Sequence, residues 1–280
     1  MLLMVGALFL CTVLAPPAAP VAVSGRQGVA PAIPGWETVW VDEFDGDGLP
    51  DASKWSYDVG GHGWGNSELQ FYTQRQRENA RVEGGRLIIE ARRDDHEGKR
   101  FTSARLVTKG KGDWTFGRVE VRAKVPKGRG SWPAIWMLPT TEAPMRWPDD
   151  GEIDILEHVG FEYGVVHASV HTKRYHHSIG TQKTGRVDVP DVADAFHDYV
   201  IEWTPERITW LLDGREYFRF DKEPGGKDVW PFDGPFHLVL NVAVGGNWGG
   251  QKGVDESTLP YVMEVEHVRV RQRTQAAGAR

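Results

Sequence analysis

The sequence predicts an all-β chain folded as a two-sheet β-sandwich of jelly-roll type. Short apolar or alternating runs recur from about residue 37 to residue 271. Turn signals separate them. No long stretch carries helical periodicity. About a dozen strands with turns between them suit two packed sheets.

The clearest strand is residues 118–125, where charged and apolar side chains alternate from Arg118-Val119 to Lys124-Val125. That pattern marks a half-buried strand. The other candidates, in chain order, are 37–44, 86–92, 101–108, 132–138, 151–158, 165–171, 197–203, 207–212, 215–220, 236–244 and 261–271. Asp213-Gly214 lies between two apolar runs and predicts a tight hairpin. Gly84-Gly85 predicts another turn, and residues 191–195 one short turn of helix.

The chain has 280 residues, 40% of them hydrophobic, enough for one large all-β domain. No internal repeat or composition break divides it. Met1 to Leu14 is almost wholly apolar, and Ala22-Val23-Ser24 before Gly25 has the small-x-small form of a signal-peptidase site. The run is short for a membrane span. The expected organisation is therefore a signal peptide at 1–24, a linker at 25–35, one domain at 36–271 and a flexible tail at 272–280, in a secreted protein. Cys11 is the only cysteine and would leave with the signal, taking with it any disulfide or thiol chemistry.

The net charge is −6 with a pI near 5.9, and no lysine- or arginine-rich run stands out. Nucleic acid is not an expected partner. Twelve tryptophans are many for this length. They either fill a large core or stack against the apolar faces of sugar rings.

The most informative segment is Gly151-Glu152-Ile153-Asp154-Ile155-Leu156-Glu157-His158. Side chains alternate faces along a strand, so Glu152 and Asp154 share one face and Ile153 and Ile155 the other. A regular strand would put Glu157 among the isoleucines, and an unpaired buried carboxylate costs several kcal/mol. A β-bulge at Ile155-Leu156 removes the conflict: Leu156 joins the core and Glu157 returns to the acidic face. Glu152 and Glu157 would then lie about 13 Å apart at Cα. Their carboxyls could approach to about 5 Å, the separation of a retaining glycosidase. Three acids on one face repel, so one must hold its proton, as a general acid needs. A solvated acidic edge or a calcium site is the alternative, but the flanking isoleucines make the strand half-buried, and a buried acidic cluster needs a reason; catalysis is the favoured reading.

Trp147-Pro148-Asp149-Asp150-Gly151-Glu152-Ile153-Asp154-Ile155-Leu156-Glu157 closely resembles the signature of glycoside hydrolase family 16, in the bulged E-x-D-x-x-E form of its laminarinase-like endo-β-1,3-glucanases. Gly63 to Thr73, Trp132 to Pro139 and Leu240 to Trp248 match as well, and the resemblance spans about Trp36 to Arg271. It implies a jelly roll with a concave substrate cleft, Glu152 as nucleophile, Glu157 as acid/base and Asp154 tuning the pair. It implies that Trp132 and Trp136, four apart on one strand, stack sugar rings. Asn66, His171, Asn241 and Trp248 would line the same groove. Leu156 stands where the family often has methionine, and residues 174–183, with Tyr175-His176-His177, have no evident counterpart.

The resemblance also implies a structural calcium on the convex side, held by Glu43, a Gly85 carbonyl and Glu266; oxygen-only ligands suit that ion. Glu264 and Glu266 have the strand parity of Val268 and Val270, so a bulge is expected there, or a carboxylate that points inward. His167 and His171 share a face, but no further ligand completes a zinc site. No catalytic cofactor is expected, and the partner would be a polysaccharide cut by a monomer. The alternatives are the same chemistry on mixed-linkage β-1,3-1,4-glucan or a galactan, or a β-glucan-binding lectin without chemistry.

Overall fold

Strands follow one another from Trp36 onward in the computed structural model, which describes residues 31–274; the expected signal peptide and most of the linker and tail lie outside that range. An eight-stranded sheet runs in the order Lys183–Asp188, Val165–His171, Glu152–Glu157, Ser131–Pro139, Phe236–Val244, Arg105–Val107 and Ser56–Tyr57, with Asp113–Trp114 beside Phe236–Val244. A ten-stranded sheet packs behind it: Arg215–Asp221, Arg207–Leu212, His197–Trp203, Gly117–Lys124, Tyr261–Arg273, Leu87–His96, Lys99–Ser103 and Gln70–Tyr72, with Trp36–Asp42 and Ala80–Val82 joining inner strands. The all-β, two-sheet jelly roll is as expected. Among the described residues the only helices are short 3-10 turns, and none is long and apolar enough to cross a membrane.

The core lies between the sheets. Ile135, Met137, Ile153, Leu156, Val166 and Leu240 from one sheet meet Val119, Val121, Ile201, Ile208, Met263 and Val265 from the other, all essentially inaccessible. Trp55, Trp114, Trp203, Trp210 and Trp230 are buried here as well. These five take the core-filling role, one of the two the composition allowed.

Local chemistry explains most elements. Asp213 and Gly214 both have positive φ, 47° and 79°, as a hairpin turn matching strand twist requires. The expected strand 101–108 breaks at Ala104: Lys99–Ser103 belongs to one sheet and Arg105–Val107 to the other. Ser56–Tyr57, Gln70–Tyr72, Ala80–Val82, Asp113–Trp114 and Lys183–Asp188 were not anticipated, being too short or too polar to show a period. Lys183–Asp188 is an edge strand, where Gly185 sits under Phe218; a Cβ there would come within 2.3 Å of the Phe218 Cβ. Residues 191–195 form a turn, with the Ala195 N–H bonded to the Asp191 carbonyl, but no helix. The last strand runs to Arg273, paired with Trp36, so Gln272 and Arg273 are ordered rather than tail.

On this strand the parity conflict resolves as a bulge. Val265 faces Ala123 and His267 faces Arg122, leaving Glu266 as the extra residue. Glu264 and Glu266 remain half-buried on the outer side while Val265, Val268 and Val270 face inward.

The outer face of this sheet carries a charge network. Arg269 pairs bidentately with Glu43 at 2.7 and 2.9 Å, and Arg271, 1% exposed, reaches Glu120 at 3.3 Å. Burial opposes the Glu120 charge, but His267, Arg271 and Arg118 outweigh it and hold the carboxyl down to about 2. A depressed folded pKa contributes stability that is complete above the ordinary 4.5 and is lost as pH falls toward 2. Glu120→Gln should therefore flatten the urea-unfolding free energy between about pH 4.5 and 2 and lower it at pH 7 by roughly 2–3 kcal/mol. Urea melts across that range check both.

Candidate active site

The site is built on the strand Glu152–Glu157. Its neighbours set the register: Glu152 faces His171, Asp154 faces Ser169 and Trp136, and Glu157 faces His167 and Ala134. Between Asp154 and Glu157 the strand advances three residues while its partner advances two, from Ser169 to His167. That is the bulge expected at Ile155-Leu156. Ile153, Ile155 and Leu156 are all buried in the core, and Glu152 and Glu157 lie half-buried on the opposite face. Trp210, from the sheet behind, donates its indole N–H to the Asp154 carbonyl at 2.7 Å, so the irregular backbone keeps a partner inside the core.

Each outer carboxylate receives an indole N–H. Trp132 donates to Glu157 at 3.0 Å, and Trp147 donates to Glu152 at 3.2 Å. His171 Nε2 lies 3.3 Å from Asp154 Oδ2 and 3.6 Å from Glu152 Oε1. Among the described residues this is the only group of three or more acidic or histidine side chains whose ligand atoms come within 4.8 Å of one another. The carboxylate–imidazole contacts account for that closeness.

Burial pushes the carboxyls of Glu152, Asp154 and Glu157 each up to about 8. The charge of Asp154 adds to the rise at both glutamates, and that of His171 opposes it. The three cannot all ionise near neutrality; once one carries charge, its neighbours keep their protons. The Trp147 N–H and His171 both favour the anion at Glu152.

The groove extends on both sides. On one side, Trp136 donates to Asn241 Oδ1 at 2.7 Å, and the Arg105 guanidinium lies between the Trp64 and Trp136 rings, 4.6 Å from each centroid. Asp58 holds Arg105 at 3.0 Å. By the Glu157 end, Trp248 packs edge-on against Trp132 at 5.6 Å and His167 at 4.9 Å. By the Glu152 end, the exposed Trp147 ring is surrounded by His171, His176 and His177 at 5.1–5.8 Å. The unmatched segment 174–183 thus forms a wall of the groove. Asn66 sits at the rim, its side-chain amide nitrogen 3.5 Å from Glu68 and its backbone carbonyl accepting from the Asn247 N–H.

The structure therefore brings together Glu152, Asp154, Glu157, Trp132, Trp136, His171, Asn241 and Trp248, with Asn66 at the edge. Trp64, Arg105, Trp147 and His167 were not anticipated as parts of the groove. Trp147 could have been found, since it opens the carboxylate motif. Arg105 could not, because its stacking depends on strands distant in sequence.

The expected calcium set is not assembled. Glu43 is neutralised by Arg269, Glu266 is engaged by Arg122 at 2.7 Å, and Gly85 lies in a tight turn. A cation placed between these acids would face two guanidinium groups, so the residues as paired do not fit the ion. The melting temperature should accordingly be the same in EDTA and in millimolar calcium; a calcium-dependent rise would show that the ion displaces arginine.

A groove across a β-sheet, with paired carboxyls at its centre and indole rings along its length, defines a carbohydrate-cleaving hydrolase. The chain belongs to the glycosyl hydrolases family 16, whose family model matches residues 67–263. It is 59% identical over 244 residues to a beta-glucanase of Rhodothermus marinus, covering 85% of each chain. It superimposes on the laminarinase of Rhodothermus marinus with a TM-score of 0.85 and 57% identity, over 87% of this chain and all of that one. A second structure, SCLam, is a non-specific endo-β-1,3(4)-glucanase whose active site holds a 1,3-β-D-cellobiosyl-glucose. It matches with a TM-score of 0.82 and 46% identity, over 86% of this chain and 97% of that one.

Were Glu157 the general acid of a cleavage, it would have to be protonated, so kcat/KM should fall as pH rises through about 8, the value to which burial pushes its carboxyl. An ordinary glutamate, titrating near 4.3, would end it far earlier. Glu157→Ala should remove that alkaline limb on aryl glycosides with good leaving groups, which need no protonation, as pH profiles of kcat/KM would show.

Proposed function

We propose that the chain is a secreted, endo-acting enzyme that hydrolyses β-1,3-glucan with retention of configuration. The observation that carries this reading is the placement of Glu152 and Glu157 on one face of one strand, each with an indole N–H on its carboxylate. The Rhodothermus marinus laminarinase and beta-glucanase support the substrate class, and the apolar segment 1–14 supports secretion.

In this reading Glu152 attacks the anomeric carbon while Glu157 protonates the departing glycosidic oxygen, leaving a glycosyl ester on Glu152. Glu157, now ionised, takes a proton from water as that water displaces Glu152 and restores both groups. Asp154, between them, stays largely protonated through burial. A neutral Asp154 does not repel the Glu152 anion, and the His171 imidazole lies beside both, 3.6 Å from Glu152 and 3.3 Å from Asp154. Trp132, Trp136 and Trp248 stack sugar rings, and Asn241 and Asn66 bond hydroxyls. The enzyme acts as a monomer on the polysaccharide, with no nucleic-acid partner and no catalytic cofactor.

The substrate range of SCLam favours a second reading, in which mixed-linkage β-1,3-1,4-glucan is also cut. Reducing-end release from laminarin, curdlan, lichenan and agarose, measured in parallel, separates the two. Laminarin should be cut fastest and agarose not at all; rates on lichenan equal to laminarin would establish the broader range. Glu152→Gln should lower turnover at least about 10³-fold yet keep oligosaccharide binding. Near-normal turnover in that variant would remove Glu152 from its role, and binding without any hydrolysis by the unaltered protein would leave a lectin.

A further inference from the structure

Beneath the groove lies a hydrogen-bonded chain whose inner members, Glu68, Gln70 and Tyr72, the chemistry above does not use. Glu68 is 6% exposed, and its Oε2 accepts from Gln70 Nε2 at 2.6 Å and from the Tyr72 hydroxyl at 3.1 Å. Tyr72 is fully buried, and its oxygen accepts from Asn241 Nδ2 at 3.0 Å. Asn241 Oδ1 in turn accepts from the Trp136 indole at 2.7 Å.

The polarity of this chain is fixed from both ends. An indole N–H can only donate, so it requires the amide oxygen of Asn241. An ionised carboxylate can only accept, so it draws the Tyr72 proton and leaves the Tyr72 oxygen as acceptor for the amide NH₂. The carboxylate thus dictates which way the Asn241 amide points, and the amide holds the Trp136 ring. Without an acceptor at Glu68, Tyr72 can turn its proton to Asn241. The amide then loses the reason to aim its oxygen at Trp136. Glu68 also lies by the other indole wall: a Cβ built on Gly246 would meet both Trp132 and the Glu68 side chain, at 3.2 and 3.3 Å.

We propose that Glu68 and Tyr72 are positioning residues for sugar stacking, setting the orientation of Trp136 through Asn241 without touching substrate. The proposal rests on the β-glucan reading for its ligand. It differs from that reading in predicting a defect in binding rather than in chemistry.

The test uses the full chain with laminarin oligosaccharides. Tyr72→Phe removes one hydroxyl and nothing else. It should raise KM about tenfold, the effect of losing one buried hydrogen bond, with kcat within about twofold. Glu68→Met, similar in shape but without an acceptor, should do the same. Glu68→Gln, which can still present an oxygen to Tyr72, should restore most of the affinity. Calorimetry with the same substitutions in the Glu152→Gln background reads binding alone. It therefore stands even if the unaltered protein releases no reducing ends, an outcome that would fall on the hydrolase reading instead. Unchanged KM and oligosaccharide affinity in both Tyr72→Phe and Glu68→Met would overturn the proposal. So would a fall in kcat at constant KM, or a Glu68→Gln defect as large as that of Glu68→Met. Should Glu68→Met fail to fold, Tyr72→Phe decides the question by itself.

Discussion

One irregular step in one strand governs this site. The two extra-core glutamates are five positions apart, an odd spacing that a regular strand would send to opposite faces. The bulge at Ile155-Leu156 restores them to a common face and lets three apolar side chains, Ile153, Ile155 and Leu156, share the core. A bulge leaves backbone groups without ladder partners. Here the Trp210 indole, from the opposing sheet, bonds the Asp154 carbonyl. The sandwich core and the catalytic geometry therefore depend on the same few atoms.

The groove that results concentrates negative charge where water is scarce, which opposes ionisation. The protein offsets this with indole N–H donors on Glu152 and Glu157, and it places the imidazole of His171 beside Glu152 and Asp154. The consequence is functional. Carboxyls that resist losing protons can supply an acid near neutrality. The outer face of the other sheet solves the converse problem. There Glu120 is surrounded by arginines and ionises with ease.

How far the sequence could be read followed from how local each cause was. The hairpin at Asp213-Gly214 and the strand at residues 118–125 rest on neighbouring residues and were legible. The bulge was also legible, because burying Glu157 would cost more than breaking the ladder. The edge strand Lys183–Asp188 was not, since its pairing comes from Val165–His171 and its fit from Phe218 over Gly185. Nor was the pairing of Glu43 with Arg269, residues more than two hundred positions apart, which takes up an acid that the motif alone would offer to calcium.

By itself, the sequence determined the β-sandwich, the core-facing alternation and the identity of the three acids, because strand period and the cost of buried charge act within a few residues of each other. Only the tertiary structure decided what surrounds those acids. Arg105 between Trp64 and Trp136, the histidines around Trp147, and the chain from Glu68 to Trp136 each join strands far apart in the chain. Hydrogen bonds and ring contacts have a reach of a few ångströms, so such partners exist only once the sheets have packed.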